Sequence, residues 1–156
     1  MIGYIFNIFL HILFATFWVG GMLYLAFVVV PSIKKSPDRK EILYKTGLKF
    51  RFFGWISLLG LFITGLINMS YRNMNFSWEF FTQTSIGKTL FIKILLYVVM
   101  LSILAIHDFY YGEKAVSNQS DKNTNRFAKI TGYLSLLLSL FILVLGILIS
   151  RGFSIF

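Results

Sequence analysis

The chain has 156 residues, of which 57% are hydrophobic and only 13% charged, where an ordinary soluble domain carries about a quarter charged residues. A soluble domain of this size covers only about two-thirds of the surface its unfolded chain exposes, so the apolar surplus excludes a water-soluble globule and calls for lipid. The net charge of +9 would point to nucleic acid on a soluble chain, but no soluble domain is there to carry that function, and basic loops beside anionic head groups account for the charge. Cysteine is absent, which excludes disulfides, Cys-ligated zinc, iron–sulfur clusters and thiol catalysis.

A transmembrane helix needs about 20 mainly apolar residues, and four segments qualify. The first spans residues 3–30 and is expected to stop ahead of Pro31, because the residue before a proline is biased away from helix. It lacks a basic leading region and its apolar run is too long for a cleaved signal, so it reads as a retained helix. Residues 31–49 follow with Lys34, Lys35, Arg39, Lys40, Lys45 and Lys49, and the stretch Arg39–Leu48 suits a short interfacial helix. The second span covers 50–70. The connection 71–85 has Arg72 as its one basic residue, and its Trp78, Phe80 and Phe81 suit the head-group belt. The third span covers 86–109, with Lys88 just inside it. Residues 110–126 are hydrophilic, carry Lys114, Lys122 and Arg126, and include a polar run that cannot build a core. The fourth span covers 127–149. No internal repeat is evident beyond the general likeness of apolar helices.

The expected fold is therefore all-α: an integral membrane four-helix transmembrane bundle in a single domain. Lys and Arg collect in cytoplasmic loops. The basic loops 31–49 and 110–126 are accordingly expected on the cytoplasmic side of the cell (inner) membrane, with both termini and residues 71–85 on the outer side.

Titratable side chains inside a membrane are costly and mark sites or bundle interiors. The candidates are His11 in the first span, Lys93 in the third, and His107 and Asp108 near the end of the third. At about 1.5 Å per residue, His11 lies roughly 12 Å and Lys93 roughly 10 Å below the outer ends of their helices, whereas His107 is about 30 Å along its helix. His11 and His107 are too far apart in depth to bind opposite faces of one haem. Spacings of three and four place Asn7, His11 and Trp18 on one stripe, Ser57, Gly60, Thr64 and Asn68 on another, and Lys93, Tyr97, Met100 and His107 on a third. An outward-facing pocket of Asn7, His11, Thr64, Asn68, Lys93 and Tyr97 is expected, with Trp18 along its stripe and Arg72 and Lys88 at its mouth. His11 is the candidate metal ligand, since neutral imidazole suits both iron and copper. His107 and Asp108 read most simply as an interfacial cap and a partner for loop cations. Gly20, Gly21, Gly60 and Gly65 read as close-packing positions, and the scattered methionines as packing.

Several elements together resemble the copper resistance protein D (CopD) family: HILFATFWVGG at His11–Gly21, RFFGWISLLGLFITGLIN at Arg51–Asn68, TSIGKTLFIKILL at Thr84–Leu96 and IHDFYYGEKA at Ile106–Ala115. In the third, Ile86 stands where the family usually has tyrosine. This resemblance implies copper handling, with uptake across the inner membrane. The segment HILFATFWVGGMLYL is also similar to the first helix of HemJ-type protoporphyrinogen oxidases. That second resemblance implies haem b held by a first-helix histidine and a third-helix lysine, which map onto His11 and Lys93. The implied cofactor is thus haem b or copper. Three functions follow: copper or haem binding linked to copper uptake, a haem-dependent oxidase, or a partner subunit within a membrane assembly, homo-oligomeric or not. No P-loop, paired carboxylates or Ser-His-Asp set supports a hydrolase.

Overall fold

The computed structural model describes residues 1–74, 76–112 and 122–156. It contains four long apolar helices, α1 (Ile2–Ser32), α2 (Arg39–Tyr71), α4 (Ser85–Phe109) and α5 (Lys122–Ser150), with a short α3 (Trp78–Gln83) between α2 and α4. The apolar stretches of α4 and α5 run 25 residues each, about 37 Å at helical rise, against a hydrocarbon core of about 30 Å. The chain is an all-α, multi-pass membrane protein, and the described residues contain no strand.

Three boundaries differ from expectation, one of them the start of α5 at Lys122 rather than at 127. The stretch Arg39–Leu48 is not a separate interfacial helix but the opening turns of α2, which runs 33 residues without a break. Nothing in Leu48–Arg51 interrupts the backbone, and Glu41 and Lys45 pair across one turn at 2.6 Å, the spacing that supports exposed helix. α1 likewise continues past Pro31 to Ser32. The turn before it, Leu25–Val29, is widened to π-helix, which relieves the clash a proline ring makes with the carbonyl four residues back.

The helices pack mainly as two antiparallel pairs, α1 with α2 and α4 with α5. The main core joins Trp18 and Val19 of α1, Leu58 of α2, and Met100 and Leu104 of α4, with Leu138 and Ile142 of α5 packed against it. Most other large apolar side chains, such as Phe9, Leu59, Phe62 and Phe141, point outward, as expected where the surrounding solvent is hydrocarbon.

One end of the bundle gathers both termini and the α2–α4 connection. There Arg72 donates to the carbonyls of Ile149 (3.0 Å) and Ser150 (2.9 Å) and so caps the last turn of α5, a favourable place for a cation. The rings of Tyr4 and Tyr71 lie 5.3 Å apart, and the Ile155 amide donates to Thr89 Oγ1 at 3.2 Å. A small core of Met69, Leu90 and Ile149 seals this end under Phe80 and Phe81 of α3. α3 and α4 are each started by a side-chain cap, Ser77 Oγ accepting from the Phe80 amide and Thr84 Oγ1 from the Gly87 amide, which satisfies otherwise orphaned donors. The opposite end carries the α1–α2 connection, the end of α4 and the start of α5.

Candidate functional site

α1 and α2 are joined at the terminal end by a row of polar side chains. Asn7 is buried and donates through Nδ2 to the Thr64 carbonyl (3.0 Å) and to Asn68 Oδ1 (2.8 Å). One turn along α1, His11 Nδ1 lies 2.7 Å from Thr64 Oγ1. Thr64 Oγ1 in turn lies 2.6 Å from the Gly60 carbonyl. A carbonyl only accepts and a hydroxyl has one proton, so the threonine donates to Gly60 and the imidazole donates from Nδ1. A neutral ring then carries its lone pair on Nε2, which has no hydrogen-bond partner among the described residues. A Cβ on Gly65 would meet His11 Cε1 at 3.7 Å, an ordinary van der Waals contact.

Lys93 of α4 lies within electrostatic reach of His11. Its Nζ rests against Gly146 of α5, 3.3 Å from where a Cβ would stand. The structure thus unites Asn7, His11, Thr64 and Asn68 and brings Lys93 close by. Tyr97 is turned elsewhere, its hydroxyl donating to the Leu58 carbonyl at 2.7 Å. Trp18 lies deeper, with Nε1 donating to Ser139 Oγ of α5 at 2.9 Å. Arg72 is committed to the end of α5 and, with Met74, Phe80, Thr84 and Ile86, lines an open cleft of about 470 Å³, while Lys88 is exposed.

Sequence reasoning missed two arrangements. Ser139 is a buried node: it accepts from Trp18, approaches Met100 Sδ at 3.0 Å and Met22 Sδ at 4.0 Å, and donates to the Ser135 carbonyl at 2.8 Å. The two methionines are therefore neighbours of one hydroxyl, which their separate positions in sequence do not reveal. The second is a short repeat. His107 Nδ1 lies 2.9 Å from Thr131 Oγ1, whose own proton goes to the Phe127 carbonyl at 2.9 Å. A Cβ on Gly132 would sit 3.8 Å from His107 Cε1. The α4–α5 pair thus repeats the His–Thr contact of the α1–α2 pair. The two threonines stand in the same tripeptide, Ile63-Thr64-Gly65 and Ile130-Thr131-Gly132. Asp108, expected to serve loop cations, accepts from Trp55 Nε1 at 2.9 Å through Oδ2, and its backbone carbonyl accepts from Arg51 at 3.2 Å.

Among the described residues no group of three or more His, Cys, Asp or Glu side chains assembles. The donor set at His11 is one imidazole nitrogen.

Comparison with known proteins bears on these helices. The chain is 35% identical over 148 residues, 94% of each chain, to an uncharacterized protein of Aquifex aeolicus (strain VF5). No solved structure gives a significant match. The family model for copper resistance protein D matches residues 45–150, a stretch that holds Thr64, Lys93, His107 and Thr131 but leaves His11 outside. More than half of the chain is covered by that match, so this four-helix membrane protein belongs to the copper resistance protein D family.

Proposed function

We propose that the chain is a copper-handling membrane protein of copper uptake or homeostasis in which His11 Nε2, at the terminal end of the bundle, is offered to a copper ion or to the iron of haem b. The observation that carries this reading is the hydrogen-bond chain from Nδ1 through Thr64 to the Gly60 carbonyl. It fixes the ring and its tautomer, as partners of metal-bound histidines do. By the distribution of basic residues the terminal end faces outward from the inner membrane, and loops 31–49 and 110–126 face the cytoplasm. Copper arriving from outside would meet this end first.

A second reading, a haem-dependent oxidase of porphyrinogens, is favoured by Lys93. A cation near the imidazole suits a propionate carboxylate and repels a bare copper ion. Haem b would supply a redox-active iron there. His11 would hold it and Lys93 would anchor its acidic edge.

Purified in detergent, the protein is expected to carry copper by elemental analysis or haem by a Soret band, and His11→Ala is expected to remove one equivalent of whichever is present. An unchanged load in His11→Ala overturns the site. Lys93→Gln separates the readings: a weakened or shifted Soret band favours haem, whereas retained or tightened copper binding favours the ion.

A further inference from the structure

We infer that Asp108 is the latch of a gate at the end of the bundle opposite the termini: it ties the α1–α2 pair to the α4–α5 pair there, and its release lets the pairs part at that end while the terminal end stays shut. The latch stands whatever His11 holds. Only its use, letting out a copper ion taken in at the terminal end, rests on the copper reading above.

The two ends are sealed in different ways. The terminal end has a buried apolar core of its own, Met69 of α2 with Leu90 of α4 and Ile149 of α5. Arg72 of α2 grips the last turn of α5 through two hydrogen bonds, and the Ile155 amide reaches Thr89 of α4. Toward the other end the buried apolar side chains stop early. Among the described residues none lies beyond Val19 on α1, Leu58 on α2, Leu104 on α4 or Leu136 on α5. Ties between the pairs gather instead on the end of α4. Asp108 Oδ2 accepts from Trp55 Nε1 at 2.9 Å, the Asp108 carbonyl accepts from Arg51 at 3.2 Å, and the Phe109 ring lies 6.3 Å from that of Trp55. Apolar burial has no preferred direction, whereas a hydrogen bond weakens steeply as its geometry is disturbed. The gate end is therefore held by contacts that a small movement breaks.

Asp108 lies roughly 34 Å along α4, at the far edge of the hydrocarbon. Among the described residues its carboxylate has no ion pair, and Arg51 spends its donor on the backbone carbonyl. A carboxylate at that depth with one neutral donor is incompletely satisfied, so an arriving cation or water competes with Trp55 for it. The neighbouring His107 binds Thr131 of α5, which keeps α4 on α5 when the latch opens and lets the pairs part as units.

The backbone supplies hinges on the same side. π-helical turns occur at Thr16–Gly20 and Leu25–Val29 of α1 and at His107–Gly112, where α4 ends, and such widened turns are where helices bend. The parts of these helices nearer the termini, Ile2–Ala15 and Ser85–Ile106, are regular α-helix.

Cysteine reactivity at the two ends tests the gate in the full chain purified in detergent, where an impermeant thiol reagent reaches both. Ser135→Cys reports on the gate end. This position is fully buried, its hydroxyl has no partner among the described residues, and it lies one turn from Ser139, which meets Trp18 across the pairs. Leu90→Cys reports on the terminal core. Both are expected to react slowly in the native background. Adding Asp108→Ala is expected to speed the Ser135→Cys reaction about 10-fold, the change in an opening equilibrium that losing one hydrogen bond brings, and to leave Leu90→Cys unchanged. Trp55→Phe, which removes the donor and keeps a ring for Phe109, is expected to do the same, and it serves where Asp108→Ala gives no monodisperse peak. Asp108→Asn keeps an acceptor for Trp55 and is expected to stay near the native rate. An unchanged Ser135→Cys rate in Asp108→Ala and Trp55→Phe overturns the latch. So does an equal rise at both reporters, which marks general loosening, or a rise in Asp108→Asn equal to that in Asp108→Ala. Copper or haem lost from His11→Ala alters none of these rates, so the latch and the His11 site fail separately.

Discussion

Asn7 shows how much one polar side chain does in a lipid-facing bundle. It spends both amide protons on α2, one on the Thr64 carbonyl and one on Asn68, and thereby sets the rotation that carries His11 onto Thr64. Asn7→Leu is expected to destabilise the α1–α2 pair by about 1 kcal/mol, within the range measured for interhelical hydrogen bonds in membranes. Thermal unfolding in detergent checks this, and an unchanged midpoint would remove Asn7 as the tie. Depth arithmetic was enough to bring Asn7, His11, Thr64 and Asn68 together on paper, because rise per residue is constant. It was not enough for Tyr97. A helical stripe says which residues share a face, but not which neighbour that face meets, and the tyrosine hydroxyl found the Leu58 carbonyl instead.

Glycines at the element scale separate real close approach from mere presence. A Cβ on Gly54 would lie 2.8 Å from the Trp18 ring, and one on Gly60 would lie 2.5 Å from Phe14. Gly21 similarly faces the Phe50 ring, whereas nothing lies within 4 Å of a Cβ on Gly20. Of the glycines expected to pack closely, Gly21 and Gly60 do, whereas a Cβ would be accommodated at Gly65, at 3.7 Å from His11, and at Gly20. Gly54, unremarked in the sequence, joins them. Gly54→Ala is expected to cost about 1–3 kcal/mol, as overpacking does, with Trp18 displaced from Ser139. Gly20→Ala is expected to be neutral or slightly stabilising, since alanine is the better helix former. Thermal unfolding and tryptophan fluorescence compare the two; equal losses in both variants would refute this account of the α1–α2 contact.

For the whole molecule the open quantity with functional weight is direction. The absence of native cysteine makes single reporters clean. Ser36→Cys, in the basic α1–α2 connection, is expected to be shielded from an impermeant thiol reagent in intact cells, and Gln83→Cys, on exposed α3, to react. The reverse pattern would turn the bundle over and put His107 on the outer face.

Composition and apolar run length were sufficient for the membrane, the all-α class and the four spans, because a bilayer accepts little else than helices of fixed minimum length. The positions of His11 and Lys93 were also readable, since a titratable group within an apolar run stands out against its neighbours. Which groups meet was decided only by tertiary structure. The pairing of α1 with α2 and α4 with α5 turned two Ile-Thr-Gly segments, 67 positions apart in the chain, into matching histidine anchors at opposite ends. It also moved Trp18 and Tyr97 away from the first anchor and gathered Met22, Met100 and Ser139 between the two. Helix rotation and partner choice depend on the close fit of whole faces, and apolar faces look alike until they are packed.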